Sequence, residues 1–515
     1  MTWPQAIALH WVPFHHDVLF SIWRLAWTSH ALSNGLPLFD ANIFHPAENT
    51  LAYSDATLLQ GVLATGLIQL RWSPVVAYNL LILASFIGCG AGAYLWARSL
   101  GLSLSAGLLA GTVFSTAPMR FGHYMHLEIL WTQWIPLAFW ACRRLVDVGD
   151  RRAAAYLGAF ITLQALSALY AFIFLITALP VYLLTIVWLE RWRPDQRALL
   201  AVGTAALVSM AIVGAYAAPF LANAASLGPR SLTDVREYSA TIASFFSAPP
   251  DNRLYGWTAK WGGPELELSS GLTPLVLAGV AFTHLSRRLW SAVAVTLVGF
   301  ALTLGLNGPL FGLLRDHVFG YSGLRVPARA AMIVHCGLAI LAAAGFDRLR
   351  RTWSARTSGI AFTVVLLALA AEYSTRIALR ELPRRPSGYA AWLRSQPDGV
   401  VAEFPMPALS TLPGDEASVQ YESIYHWRKL VNGYSGYYPL SYRELVHACT
   451  DWSVACKTIL RERGVTTVVF HVGARGEIGS RVTIDRLEND TELEPVLTAP
   501  ALWDQVRVYR LRPGH

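Results

Sequence analysis

An all-α polytopic membrane bundle carrying an α/β domain at its C-terminal end is the fold class this sequence predicts, on three observations. Hydrophobic residues make up 54% of the 515 residues and charged residues only 14%, well below the roughly 25% charged content of an ordinary soluble domain; the mean hydropathy is +0.39. Apolar runs that match the length of a helix crossing a hydrocarbon core of about 30 Å recur at 75–97, 102–118, 127–145, 152–169, 170–189, 198–222, 271–285, 288–306, 329–345 and 357–374, ten spans in all. Beyond residue 380, after the linker Arg-Glu-Leu-Pro-Arg-Arg-Pro-Ser-Gly, the composition becomes that of a soluble domain.

Positive charge resists translocation and collects in short cytoplasmic loops. Arg98, the Arg143 to Arg152 group, the Arg191 to Arg197 group, Arg287 with Arg288, and the Arg348 to Arg356 group occupy every second connection. Those turns are read as cytoplasmic, which leaves 1–74, 119–126, 223–270, 307–328 and everything after 376 outside. The expected domains are an extracytoplasmic first loop (1–74), the transmembrane bundle (75–376) with exterior loops 223–270 and 307–328, and a soluble extracytoplasmic α/β domain (377–515). The net charge of +8 is largely these loop arginines; it reports topology, and nucleic acid is not an expected partner. Ten spans put both termini outside, yet no signal peptide precedes them; either a first helix lies ahead of the first residue, the favoured reading, or the N-terminal segment is carried across with the hairpin that follows.

In the first segment two interfacial helices are expected, 15–33 and 55–70. Trp23 and Trp27 fall four apart on one face, the pattern of an aromatic helix lying at the headgroup level. In the last domain 400–404, 466–471 and 506–511 read as strands, and 388–396, 441–448 and 457–463 as helices, the last stopped by Gly464. Cys89, Cys142 and Cys336 lie in predicted spans as small buried residues. Cys449 and Cys456 lie in the exterior domain, where a disulfide is one outcome and free thiols the other. A continuous helix would hold them about 10 Å apart, so a bridge requires that segment to bend.

Exterior acids cluster early: Asp17, Asp40, Glu48 and Asp55. Asp40 and Glu48 sit among turn residues and read as ordinary loop acids. Asp17 is set among Phe14, Val18, Leu19, Phe20 and Trp23, a partly desolvated setting of the kind that makes a carboxylate a candidate base; Asp55 is a second candidate. Arg325 and Arg329, in Gly320-Tyr-Ser-Gly-Leu-Arg-Val-Pro-Ala-Arg329, stand at the exterior edge of a span, where guanidinium groups suit a phosphate and snorkelling arginines are equally common. Arg120, His123, His126 and Glu128 occupy another exterior edge. His-x-x-His alone is a weak metal pattern, so polar capping is favoured and no metal site is assigned. The 223–270 loop interleaves aromatics such as Trp257 with charged residues. That pattern suits sugar stacking, although an interfacial aromatic belt accounts for it slightly better. No Walker-type phosphate loop is present.

Taken in order, His16-Asp17, Asn42-Ile-Phe-His-Pro, Thr50-Leu-Ala-Tyr-Ser-Asp55, Ala77-Tyr-Asn-Leu-Leu, Pro118-Met-Arg-Phe-Gly-His, Leu324-Arg-Val-Pro-Ala-Arg329 and Val431-Asn-Gly-Tyr-Ser-Gly give a chain that resembles the GT-C superfamily of membrane glycosyltransferases, which use polyprenyl-phosphate sugars. The resemblance implies a bacterial cytoplasmic-membrane enzyme acting at the exterior face. It implies a polyprenyl-phosphate-linked sugar donor, an envelope glycan, lipid or protein acceptor, and membrane lipids as partners. It implies Asp17 as general base in an inverting transfer, with His16 beside it; many members also need a divalent cation. By topology, Arg325 or Arg329 would hold the leaving phosphate. Two other classes stay open: a lipid-linked glycan flippase, which would need polar and ionisable residues deep in the spans, of which there are few, Gln164, His335 and Glu372, and a non-catalytic scaffold for envelope glycan assembly, working through the exterior domain.

Overall fold

A computed structural model of the chain describes residues 3–149, 151–473 and 480–512. Each of the ten apolar runs contains helix, and among the described residues five helices are long and apolar enough to cross a bilayer: Pro74–Ser99, Leu169–Leu189, Gln196–Leu227, Pro327–Arg350 and Ala355–Glu372. The other runs make shorter pieces. The 102–118 run yields Leu104–Thr116, cut off where Pro118 starts a new short helix, Pro118–Gly122. The 127–145 run is broken into Leu127–Leu130 and Trp134–Val148, and the 271–285 run shrinks to Leu272–Ala281. The chain divides into two compact units, Met1–Ala6 with Leu80–Ala218 and Gly228–Ala378, and Ile7–Asn79 with Pro219–Leu227 and Leu379–His515.

The first unit is the helical bundle. Its centre is Ala331–Arg350, buried from Ala331 through Asp347 and packed on Leu272–Ala281, Trp290–Thr303 and Leu104–Thr116. Lipid tails are as apolar as leucine, so such helices associate through close packing and small residues. A Cβ at Gly345 would overlap the Leu277 carbonyl oxygen, and one at Gly111 would lie 2.7 Å from the Gly90 carbonyl. The break at residues 131–133 is buried in protein, where alone a bilayer tolerates irregular backbone. Its carbonyls are taken up by side chains: Arg120 donates to the Leu130 carbonyl at 2.8 Å and Gln164 to the Trp131 carbonyl at 3.2 Å. At the far end Arg143 is neutralised by Asp147 and Glu190. Gln196–Leu227 and Ala355–Glu372 leave large apolar side chains exposed, among them Leu200, Leu207, Met210, Ile360, Val364 and Leu367. Surface of that kind belongs to lipid.

The second unit joins the start of the chain to its end. Helix His16–Asn34 is capped by the His15 side chain, which accepts from the Asp17 N–H, and ends at Gly35, whose φ of 64° suits the left-handed stop. This helix is a core element and not the interfacial one expected. Residues Val18 through Ser29 are all buried, and the indole N–H groups of Trp23 and Trp27 are satisfied by Asn42 and by the Leu38 carbonyl. Leu58–Gln69, in contrast, leaves Val62 and Leu63 exposed, as does the turn after it Leu70 and Trp72. The C-terminal segment builds a five-stranded sheet in the order Lys429–Leu430, Val400–Phe404, Val465–Val472, Gln505–Leu511, Leu493–Pro500. The first three strands are parallel and the last two antiparallel. Residues 42–45 run beside 430–432: Phe44 donates to the Asn432 carbonyl, His45 to the Leu430 carbonyl, and Leu430 to the Asn42 carbonyl. Helices Leu440–Ala448 and Val454–Glu462 are separated by a turn, and across that bend Cys449 and Cys456 are joined in a disulfide with Cα atoms 4.6 Å apart.

Candidate functional site

Asp17 stands in the first turn of helix His16–Asn34, with its side chain 22% exposed. Hydrophobic periodicity commits Val18, Leu19 and Ile22 to the core, which turns the carboxylate to the polar rim. There the Tyr434 hydroxyl donates to Oδ1 at 2.7 Å and His15 Nδ1 lies 3.3 Å from Oδ2. Phe14 is exposed, and the groups that touch the acid include a phenol and an imidazole. His16 is half-exposed, stacks on the Tyr434 ring and lies 3.4 Å from Asp415 Oδ1. Tyr434 is itself fixed. Its backbone N–H donates to Gln420 at 2.7 Å, and the neighbouring Gly433 lets the chain press on Phe44, whose ring would lie 2.7 Å from a Cβ there.

Further along the same helix, two turns from Asp17, Arg24 is fully buried. It stacks on Phe20, donates to Ser21 at 2.9 Å and donates to the backbone carbonyl of Asp55. Asp55, the second candidate acid, is thus anchored to this helix through its main chain. Neither Arg24 nor Tyr434 stands out in the sequence as a site residue. Tyr434 does lie inside Val431-Asn-Gly-Tyr-Ser-Gly, where a Gly-flanked aromatic hints at a constrained turn.

Behind this rim, still in the second unit, a buried polar cluster holds the sheet to its helices. His471 bridges Glu403 at 2.6 Å and Asp504 at 3.1 Å. Ser387 donates to Glu422, whose carboxyl burial pushes up to about 7.

The remaining predicted residues lie in the helical unit. Arg120 is buried between Phe86 and Phe114 and is used to hold Leu130 and Thr132, so it is a structural cation there and not an exposed substrate contact. Trp257 is 62% exposed and meets Trp261 edge-on at 5.1 Å. Arg325 is half-buried, its guanidinium 5.4 Å from the Tyr238 ring centroid and its backbone N–H donating to Tyr170 at 2.7 Å. Arg329 is committed differently. It grips both oxygens of Glu265, with Nε 2.9 Å from Oε2, over the Tyr170 ring.

Beside that pair, His123 Nδ1 lies 3.3 Å from His126 Nδ1 and 3.9 Å from Glu265 Oε2. Burial pushes His123 down to about 4 against the pull of Glu265. Burial pushes Glu265 the other way, but Arg329 and His123 hold its carboxyl well below the usual range. Nearby Glu267 is raised to about 7 by burial. Glu265 follows a Gly262-Gly263-Pro264 turn that flags a special backbone, though nothing in its sequence neighbourhood pairs it with residues 123 and 126.

The whole architecture has counterparts among solved structures. That of arabinofuranosyltransferase AftD from Mycobacteria matches 97% of this chain with a TM-score of 0.64 at 16% identity, and this chain spans 38% of AftD's length. That of ArnT from Cupriavidus metallidurans bound to undecaprenyl phosphate matches 96% of this chain and 95% of its own, with a TM-score of 0.52 at 12% identity. The fold is shared with these two structures. No family model and no curated protein matches the sequence. The shared fold is thus carried by a sequence with few identities to these structures.

Proposed function

We propose that this chain is an integral-membrane glycosyltransferase of the bacterial cytoplasmic membrane. It moves a sugar from a polyprenyl-phosphate donor to a cell-envelope acceptor at the exterior face, inverting the anomeric centre. The observation that carries the reading is a partly exposed carboxylate, Asp17, held by Tyr434 and His15 at the head of a buried helix, within a fold shared with glycosyltransferases. A base must be aimed before it can act. Tyr434 and His15 fix the direction of the carboxylate, and the helix behind it is too well buried to yield. In the proposed step the Asp17 carboxylate takes the proton of an acceptor hydroxyl and the acceptor oxygen bonds to the anomeric carbon. The bond from that carbon to the phosphate oxygen breaks, and polyprenyl phosphate leaves with the electron pair. Arg329 is committed to Glu265, so the donor phosphate is assigned to Arg325.

The test is made with the purified protein in proteoliposomes, supplied with a panel of polyprenyl-phosphate sugars and envelope acceptors. Acceptor-dependent release of polyprenyl phosphate, with a product of inverted anomeric configuration by NMR, is the expected result. Release with retained configuration contradicts direct displacement. Movement of intact donor across the bilayer without cleavage favours a flippase in its place.

A further inference from the structure

We propose that His123, His126 and Glu265 form a zinc-type divalent-cation site in the helical unit, with three protein ligands and one position left open. The three donor atoms all lie within 4.8 Å of one another. Two bonds of about 2.0–2.1 Å at a tetrahedral angle set their ligand atoms roughly 3.3 Å apart, and the two Nδ1 atoms face each other at 3.3 Å. Glu265 Oε2, 3.9 Å from His123 Nδ1, must close by about 0.6 Å to reach that spacing, within a group whose donor atoms lie no more than 4.8 Å apart. Arg329 does not exhaust this carboxylate, because two oxygens offer about four acceptor directions. It acts instead as the partner that orients a ligating acid.

The backbone supports the same reading. Glu265 has a φ of 67°, a left-handed conformation that costs a non-glycine residue on the order of 1–3 kcal/mol and persists where something fixes it. The ligands come from two loops far apart in sequence, 119–126 and 223–270. His126, half-buried, gives the site an entry path. The donor set decides the ion. Two imidazoles and one carboxylate suit zinc and its neighbours, whereas magnesium and calcium want oxygen ligands throughout. When bound, such an ion supplies a Lewis-acidic positive charge at the open position. The inference is independent of the transfer reading.

The full-length protein, purified in detergent with a histidine-free tag and stripped with a chelator, is titrated with Zn²⁺ against a chromophoric competitor. Bound metal per chain is counted by mass spectrometry, and Co²⁺ serves as a visible-absorption probe of geometry. The expected result is one tight Zn²⁺ per chain, a tetrahedral Co²⁺ spectrum, and affinity at least about tenfold weaker in His126→Ala and in Glu265→Gln. His126→Ala leaves the Glu265–Arg329 pair in place, and its melting temperature without metal controls for folding. Zn²⁺ binding equal in wild type and His126→Ala, or no tight Zn²⁺ in the wild type, overturns the site.

Discussion

Asp17 and Tyr434 lie 417 residues apart and share a 2.7 Å hydrogen bond. Hydrogen bonds to charged groups contribute about 1.5–3 kcal/mol. Tyr434→Phe is therefore expected to lower kcat by about tenfold or more with little change in KM, as read from steady-state kinetics with the donor varied. The arginines separate in the opposite way. Arg329→Ala leaves Glu265 buried without its cation, a loss of about 3–5 kcal/mol, and is expected to cut the yield of folded protein by size-exclusion in detergent. Arg325→Ala is expected to fold normally and to raise the KM for donor. At this scale the sequence reveals individual residues unevenly. Asp17 was visible because an acid at the head of an aromatic run is conspicuous. Its actual partners were not, since Tyr434 and His15 meet it only in the folded unit, as Glu265 meets His123.

Among elements, helix His16–Asn34 shows what periodicity leaves open. Trp23, Trp27 and an arginine on an apolar helix look interfacial until Asn42, Leu38 and Asp55 are found waiting for their polar atoms. The bundle was legible as ten apolar runs. The breaks at Pro118 and at 131–133 were not, because the side chains that take up the freed carbonyls come from elsewhere. The strands at 400–404, 465–472 and 505–511 were readable from their β-branched runs, whereas Leu493–Pro500, with two prolines, was not. Gly433→Ala is expected to cost about 1–3 kcal/mol, measured as a lower melting temperature, because the new methyl meets the Phe44 ring. Glu422 gives the sheet a pH dependence. Its buried carboxyl, beside Glu403, His471 and Asp504, is raised from an ordinary 4.5 to about 7. The stability this protonated form contributes is complete below about pH 4.5 and is lost as pH rises through 7. The protein is expected to melt lower at pH 8 than at pH 5, and Glu422→Gln is expected to shrink that difference.

The molecule as a whole places its first 73 described residues beyond Ala6 with its last domain in one compact unit. That arrangement explains why an acid near the start of the chain depends on a tyrosine near its end. Removing residues 379–515 is expected to expose helix His16–Asn34 and make the 7–79 segment protease-sensitive, while the membrane bundle stays inserted; limited proteolysis in vesicles reads this directly. The most direct measurement of the central claim is the rate of polyprenyl phosphate release from a lipid-linked sugar by Asp17→Asn beside the wild type, both in proteoliposomes and both checked for the same melting temperature. The expected result is a loss of about 10²–10⁴-fold, the contribution of a positioned general base. An Asp17→Asn protein that folds and transfers sugar at the wild-type rate would show that this carboxylate is not the base.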